Sequence, residues 1–153
     1  MNKRITITEV TIEELFEEDA LLINKAREAT ELSYSPYSNF AVGVAVLLEN
    51  GEIVKGANQE NASYPVGICA ERSALATAQN LYPNIPVLAL ALAARKTGEQ
   101  TYTNDVVTPC GMCRQFIAEQ EQRYQRQVRI LMSSSTKVAI ANSVEELLPM
   151  AFN

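Results

Sequence analysis

Residues 87–94, Val-Leu-Ala-Leu-Ala-Leu-Ala-Ala, form an apolar run without polar alternation. Pro86 precedes it and a polar stretch from Gly98 to Asp105 follows. The run is far shorter than a membrane span, and its length and the flanking proline favour a strand over a helix. A strand that is apolar on both faces has to be covered on both faces. The chain therefore needs a layer of structure on each side of a sheet. A second apolar run, Phe40 to Leu48, also reads as a strand. Asn50-Gly51 behind it is the strongest local hairpin signal in the chain, because both residues tolerate positive φ, and Glu52 to Ala57 then returns as an antiparallel strand. Further strands are expected at 128–132 and 138–140. The alternation of Ile5, Ile7 and Val10 fits a short extended arm or an edge strand.

Helices account for most of the rest. Leu22, Ala26 and Ala29 repeat at helical spacing and predict a helix ending near Leu32. Thr11 and Glu14 read as a capping box at its start, with a break around Glu17. Two more helices are expected from Cys69 to about Gln79 and from Cys110 to about Arg123, each beginning at a cysteine directly after a loop. Ser143-Val144-Glu145-Glu146 is a second capping box, opening a brief helix. This order predicts an α/β fold with a mixed sheet and helices on both faces. The expected architecture is a three-layer αβα sandwich with a mostly five-stranded sheet. Residues 1–153 read as one domain, with residues 1–20 as a variable N-terminal extension.

Three facts about composition narrow the function. The chain has 153 residues, 47% hydrophobic and 20% charged, which is enough for a sizeable core and argues against disorder. A formal net charge of −5 disfavours a broad grip on nucleic acid, which needs a positive surface. The cluster Arg123, Arg126 and Arg129 is interrupted and reads as a solvated helix end. The start lacks an apolar signal core, so a cytoplasmic location without membrane contact is the expectation.

The chain has three cysteines and no histidine. Cys110 and Cys113 lie in Pro109-Cys110-Gly111-Met112-Cys113, and the third is Cys69. An odd number of cysteines argues against a disulfide framework. Alone, the Cys-x-x-Cys spacing fits a metal site, a redox pair or two buried small residues. Cys69, also at an expected helix start, tips the balance towards one zinc ion per subunit held by Cys69, Cys110 and Cys113. A structural zinc would want a fourth cysteine or histidine, and none remains. Three protein ligands leave an open position, as a hydrolytic zinc requires. Glu71 is either a carboxylate satisfying the helix dipole or, with no imidazole present, the proton shuttle beside that position. Arg72 is either a solvated helix arginine or a guanidinium that withdraws charge from the sulfurs.

Cys69-Ala70-Glu71 together with Pro109-Cys110-Gly111-Met112-Cys113 resembles the cytidine deaminase family, in the form where cysteine replaces the usual first histidine ligand. Tyr37-Ser38-Asn39-Phe40, the segment from Asn58 to Tyr64, and Leu147-Leu148-Pro149 followed by Phe152 extend the resemblance from about Leu22 onward. It is nearest to the short, all-cysteine nucleoside deaminases, which are usually homotetramers. The resemblance implies that Asn58 and Glu60, which in isolation read equally as loop-capping polar residues, hold the ribose hydroxyls, and that Phe40, by itself a core residue, packs on the pyrimidine or sugar. It implies that the Ala70 N–H binds the base carbonyl, that the Thr108 carbonyl accepts from the leaving amine, and that Phe152 reaches a neighbouring subunit's site. The implied reaction is hydrolytic deamination of cytidine and deoxycytidine in pyrimidine salvage. A related aminohydrolase for a nucleoside-like antibiotic is the main rival, and a non-catalytic zinc-stabilised assembly protein is the reading from another class.

Overall fold

The computed structural model describes residues 2–153. The chain opens in an edge strand, β1 (Thr8–Thr11), passes through a 3-10 turn at Ile12–Glu14 and enters helix α1 (Glu17–Ala29). The hairpin β2 (Phe40–Leu48) and β3 (Ile53–Ala57) leads to helix α2 (Ala70–Leu81) and strand β4 (Val87–Lys96). Helix α3 (Gly111–Tyr124), β5 (Arg129–Ser133) and β6 (Lys137–Ala141) complete the fold. The six strands form one sheet in the order β1-β6-β5-β4-β2-β3. Among the six described strands only β4 and β5 pair in parallel, and α3 is part of the crossover that this requires. The five expected strands are present, and the N-terminal arm adds a sixth by pairing Thr8–Thr11 with β6.

The two faces of the sheet carry different cores. On one face, Leu90 and Leu92 of β4 pack with Val44 and Val46 of β2 under Ala74, Leu75 and Ala78 of α2 and Ile117 of α3. On the other, Ala89, Ala91 and Ala93 of β4 and Ala45 of β2 meet Leu22, Ile23 and Ala26 of α1. The run that lacks alternation in polarity alternates in size. Its small side chains let α1 approach the sheet closely, while its large ones fill the wider layer beneath α2 and α3.

Two glycines mark the closest approaches. A Cβ at Gly43 would lie 2.2 Å from the Ala26 carbonyl oxygen of α1, and one at Gly56 would lie 2.5 Å from the Ala74 nitrogen of α2. Both helices thus press backbone to backbone on the β2–β3 hairpin. At the hairpin's own turn only Gly51 takes a positive φ, of 87°. Asn50 instead uses its side chain, whose Oδ1 accepts from the Glu52 N–H at 3.0 Å.

The expected capping box at Thr11 does not form: the Thr11 side chain makes no capping hydrogen bond, and α1 begins only at Glu17. The residues before it are drawn into the sheet, Ile12 donating to the Thr136 carbonyl. Ladder pairing with the β6 edge replaces the local cap. At the second box the Ser143 hydroxyl does accept from the Glu145 N–H, but the segment is a 3-10 turn, Val144–Glu146, rather than an α-helix. The arginines of the interrupted basic cluster are dispersed: Arg126 pairs with Glu49, Arg129 with Asp19, and Arg123 lies over the Tyr124 ring. Among the described residues no helix is long and apolar enough to cross a membrane.

Candidate metal centre

The two helices that begin at cysteines point their N-termini at one place. Cys69 is the N-cap of α2 and Cys110 the N-cap of α3, both with extended backbone. Cys113 sits in the first turn of α3 and is fully buried. Helix N-termini carry unsatisfied N–H groups and partial positive charge, an environment that favours thiolate. The Sγ atoms of Cys69 and Cys110 are 3.9 Å apart, and those of Cys110 and Cys113 are 3.5 Å apart. A tetrahedral ion with metal–sulfur bonds of ~2.3 Å needs sulfurs ~3.8 Å apart. All three sulfurs fall within 4.8 Å of one another, so the donor set fits one small, thiophilic cation.

The protons of this cluster are already unevenly shared. Hydrogen bonding from Cys113 chiefly, then from Cys110 and the Arg72 guanidinium, brings the Cys69 thiol down to about 5 against the drag of burial. The Cys113 thiol is pushed up, first by its hydrogen bond to Cys69 and then by burial. Three thiols this close cannot all ionise without a cation, and a bound metal would take the place of the shared protons.

Glu71 lies in the first turn of α2 and is 5% exposed. Cys113 donates to its Oε2 at 3.4 Å. Burial raises the carboxyl pKa, opposed by hydrogen bonds from its own backbone N–H and from Cys113. Arg72, the next residue, is close enough for its positive charge to favour the Cys69 thiolate, and its guanidinium approaches the Gly67 carbonyl at 3.5 Å while the buried Nε has no partner among the described residues. Ala70 occupies the first helical position, where a backbone N–H has no intrahelical acceptor.

A cleft of about 240 Å³ opens beside Cys69, lined by Tyr37, Asn58, Glu60, Tyr64 and Gly67 among others. The structure therefore brings Asn58 and Glu60 into one cleft with a metal ligand. Both are also part of the loop's own scaffold. The Asn58 Oδ1 accepts from Ser33 Oγ at 2.5 Å and from the Val42 N–H at 2.9 Å, while Nδ2 donates to the Phe40 carbonyl at 2.9 Å. One Glu60 oxygen accepts from the Tyr37 and Ser38 N–H groups at 3.0 and 3.2 Å. Phe40 lines a separate cavity, with Val106 and Val107. Thr108, just beyond that wall, is exposed. Phe152 does not line the cleft: it is 84% exposed, and its backbone is clamped to α3 by paired hydrogen bonds with the Gln115 amide.

Sequence reasoning did not single out Tyr37 and Tyr64 as lining the cleft, Ser33 as a support of Asn58, or Gln115 as the anchor of the C-terminal segment. The two tyrosines stood in recognisable segments but carried no signal that they would line the cleft. The hydroxyl of Ser33 and the amide of Gln115 act through pairings 25 and 37 residues distant, which no local pattern displays.

Two helix N-termini present three thiols and a buried carboxyl, on a mixed sheet covered on both faces, in an arrangement that could hold one metal ion. Residues 16–128 match the family described as the cytidine and deoxycytidylate deaminase zinc-binding region, and the chain belongs to that family. It is 40% identical over 140 residues to a cytidine deaminase of Halalkalibacterium halodurans, covering 86% of this chain and 92% of that one. A blasticidin-S deaminase of Bacillus cereus is 26% identical over 136 residues, covering 89% and 93%. The crystal structure of a cytidine deaminase from Burkholderia pseudomallei superposes with a TM-score of 0.71 at 32% identity, covering 90% of this chain and all of that one. The family and the thiol cluster together make this chain a zinc hydrolase of the deaminase type.

Proposed function

We propose that the chain, folded as one deaminase domain, hydrolyses cytidine and deoxycytidine to uridine and deoxyuridine with release of ammonia. The observation that carries this reading is the buried Glu71 carboxyl, 3.4 Å from a sulfur of the three-thiol cluster and opening towards no histidine. A zinc ion held by Cys69, Cys110 and Cys113 would supply Lewis acidity, lowering the pKa of water towards neutrality.

The protein's own groups do the rest. Glu71 takes a proton from the attacking water at Oε and delivers it to ring N3, so that oxygen adds to C4. The same carboxyl then carries the remaining proton of the new C4 hydroxyl to the amino group, the C4 carbonyl forms as the C–N bond breaks, and ammonia leaves. The buried carboxyl suits both directions of transfer, since burial moves its pKa up from the ordinary carboxylate range. The Ala70 N–H holds the base carbonyl and the Thr108 carbonyl accepts from the leaving amine. Asn58 and Glu60 take the sugar hydroxyls, and Phe40 packs on the pyrimidine or sugar. Arg72 offsets thiolate charge at Cys69. We place the enzyme in the cytoplasm, in pyrimidine salvage, as a homotetramer in which Phe152 reaches a neighbouring site.

The likeness to a blasticidin-S deaminase favours a nucleoside-like antibiotic as the second reading, although identity is higher to cytidine deaminases. Ammonia release from cytidine, deoxycytidine, cytosine, cytidine monophosphate, adenosine and blasticidin separates the two. The proposal expects the first two to be turned over at least tenfold faster than the others. Turnover of blasticidin alone would give the site to the second reading, and turnover of none would remove both.

A further inference from the structure

The corner that delivers Cys110 to the metal centre is held from one residue. Thr108 precedes a proline, which confines it to extended backbone, and Pro109 has a fixed φ. The peptide unit between Pro109 and Cys110 is what these constraints leave free to rotate. Arg114 holds the units on either side of Cys110: the one before it through the side chain, and the one after it through the ordinary first backbone bond of α3. Its Nε donates to the Pro109 carbonyl at 2.8 Å, and its own backbone N–H donates to the Cys110 carbonyl at 2.9 Å. The Nη1 of the same guanidinium donates to the Leu147 carbonyl at 2.8 Å, 33 residues along the chain. Gln115, the next residue, grips Phe152 through the paired bonds described above. Two consecutive residues of α3 therefore connect the ligand corner to both ends of the C-terminal segment.

We propose that Arg114 is a positioning residue of the metal centre. It sets the direction of the Cys110 thiol, and of the Thr108 carbonyl one peptide earlier, by tying the Pro109–Cys110 corner to the C-terminal segment at Leu147. The functional half of this statement rests on the deaminase reading. The geometric half does not. Arginine suits the task because its planar fork directs separate N–H groups at two acceptors at once, while a lysine ammonium is a single point on a flexible stem. Arg114→Lys therefore keeps the charge and loses the bridge.

The test compares full-length parent, R114K and Gln115→Ala by zinc competition against a chelator of known affinity, thermal melting, and ammonia release from cytidine with kcat and KM resolved. Groups that orient metal ligands typically govern affinity or activity by about 10–100-fold. R114K is expected to weaken zinc binding at least ~10-fold and to lower kcat at saturating zinc by a similar factor, with KM little changed. Gln115→Ala frees Phe152 but not the corner, so its zinc affinity should match the parent. Should R114K fail to fold, Arg114→Gln, which retains a side-chain N–H for one carbonyl, takes its place with the same expected direction.

A folded variant whose zinc affinity and kcat equal the parent's would overturn the inference. So would a fall in melting temperature with kcat at saturating zinc unchanged, which marks a merely structural arginine. If the parent binds zinc but releases no ammonia from any substrate, the deaminase reading fails while loss of zinc by R114K still upholds Arg114. A parent that binds no zinc removes both.

Discussion

Asn58 holds its loop with one amide, and the proposed function asks a second task of the same group. Three of its hydrogen-bonding positions hold the 33–42 segment, and the remaining N–H is the one available to a sugar hydroxyl. Asn58→Ala should therefore destabilise the fold by about 1–3 kcal/mol as well as raise KM, because it strands the Val42 N–H and the Phe40 carbonyl. Urea unfolding checks the first part, and an unchanged midpoint would show that the loop is held by other means. Glu60 makes a prediction in pH. Its carboxyl is held below the ordinary value of 4.5 by the Ser38 side chain and by the Ser38 and Tyr37 N–H groups. A depressed folded pKa means that these bonds contribute fully above the unfolded value and are lost as pH falls through the folded one. A carboxyl-carbon NMR titration should place the Glu60 midpoint below that of an unstructured glutamate, and a midpoint at or above it would contradict the assignment. The sequence made the three cysteines and Glu71 legible because their spacing and the missing histidines leave few alternatives. It left Asn58 and Glu60 open to a loop-capping role but could not name the partners, which lie 16 to 25 residues earlier on the 33–42 segment.

The inner strand β4 shows what an element can and cannot declare in advance. Its lack of polar residues correctly demanded cover on both faces, and the Leu–Ala alternation then decides which helix packs how closely. Leu92→Ala, on the α2–α3 face, should cost about 2–5 kcal/mol by leaving a cavity. Gly43→Ala acts oppositely. A methyl placed 2.2 Å from the Ala26 oxygen and 2.5 Å from the Thr30 nitrogen meets only backbone, so α1 must move, at a cost of about 1–3 kcal/mol or more. Thermal or denaturant unfolding of the two variants measures both, and a neutral Gly43→Ala would refute the close α1 contact. The failed cap at Thr11 belongs here too: a local motif lost to strand pairing with β6, a partner more than 120 residues later that local reading cannot weigh.

At the scale of the molecule, the two chain ends are joined. The Lys3 ammonium donates to the Pro149 carbonyl at 2.5 Å and lies 3.8 Å from Glu145. The arm whose role was opaque in the sequence thus braces the segment that presents Phe152. Tyr64 and Phe152 are 87% and 84% exposed. In the proposed tetramer neighbouring chains cover them, so sedimentation should give a four-chain species, and Phe152→Ala should lower kcat/KM by at least tenfold if the tail completes a neighbour's site. A fully active monomer would contradict both. The central claim is that three thiols hold the zinc and that Glu71 moves the protons. Its most direct test is Glu71→Gln, assayed for zinc content and for ammonia release from cytidine. The account predicts about one zinc per chain and an unchanged melting temperature, with kcat/KM lowered by roughly 10²–10⁴. Parental turnover by a zinc-loaded Glu71→Gln chain would contradict it.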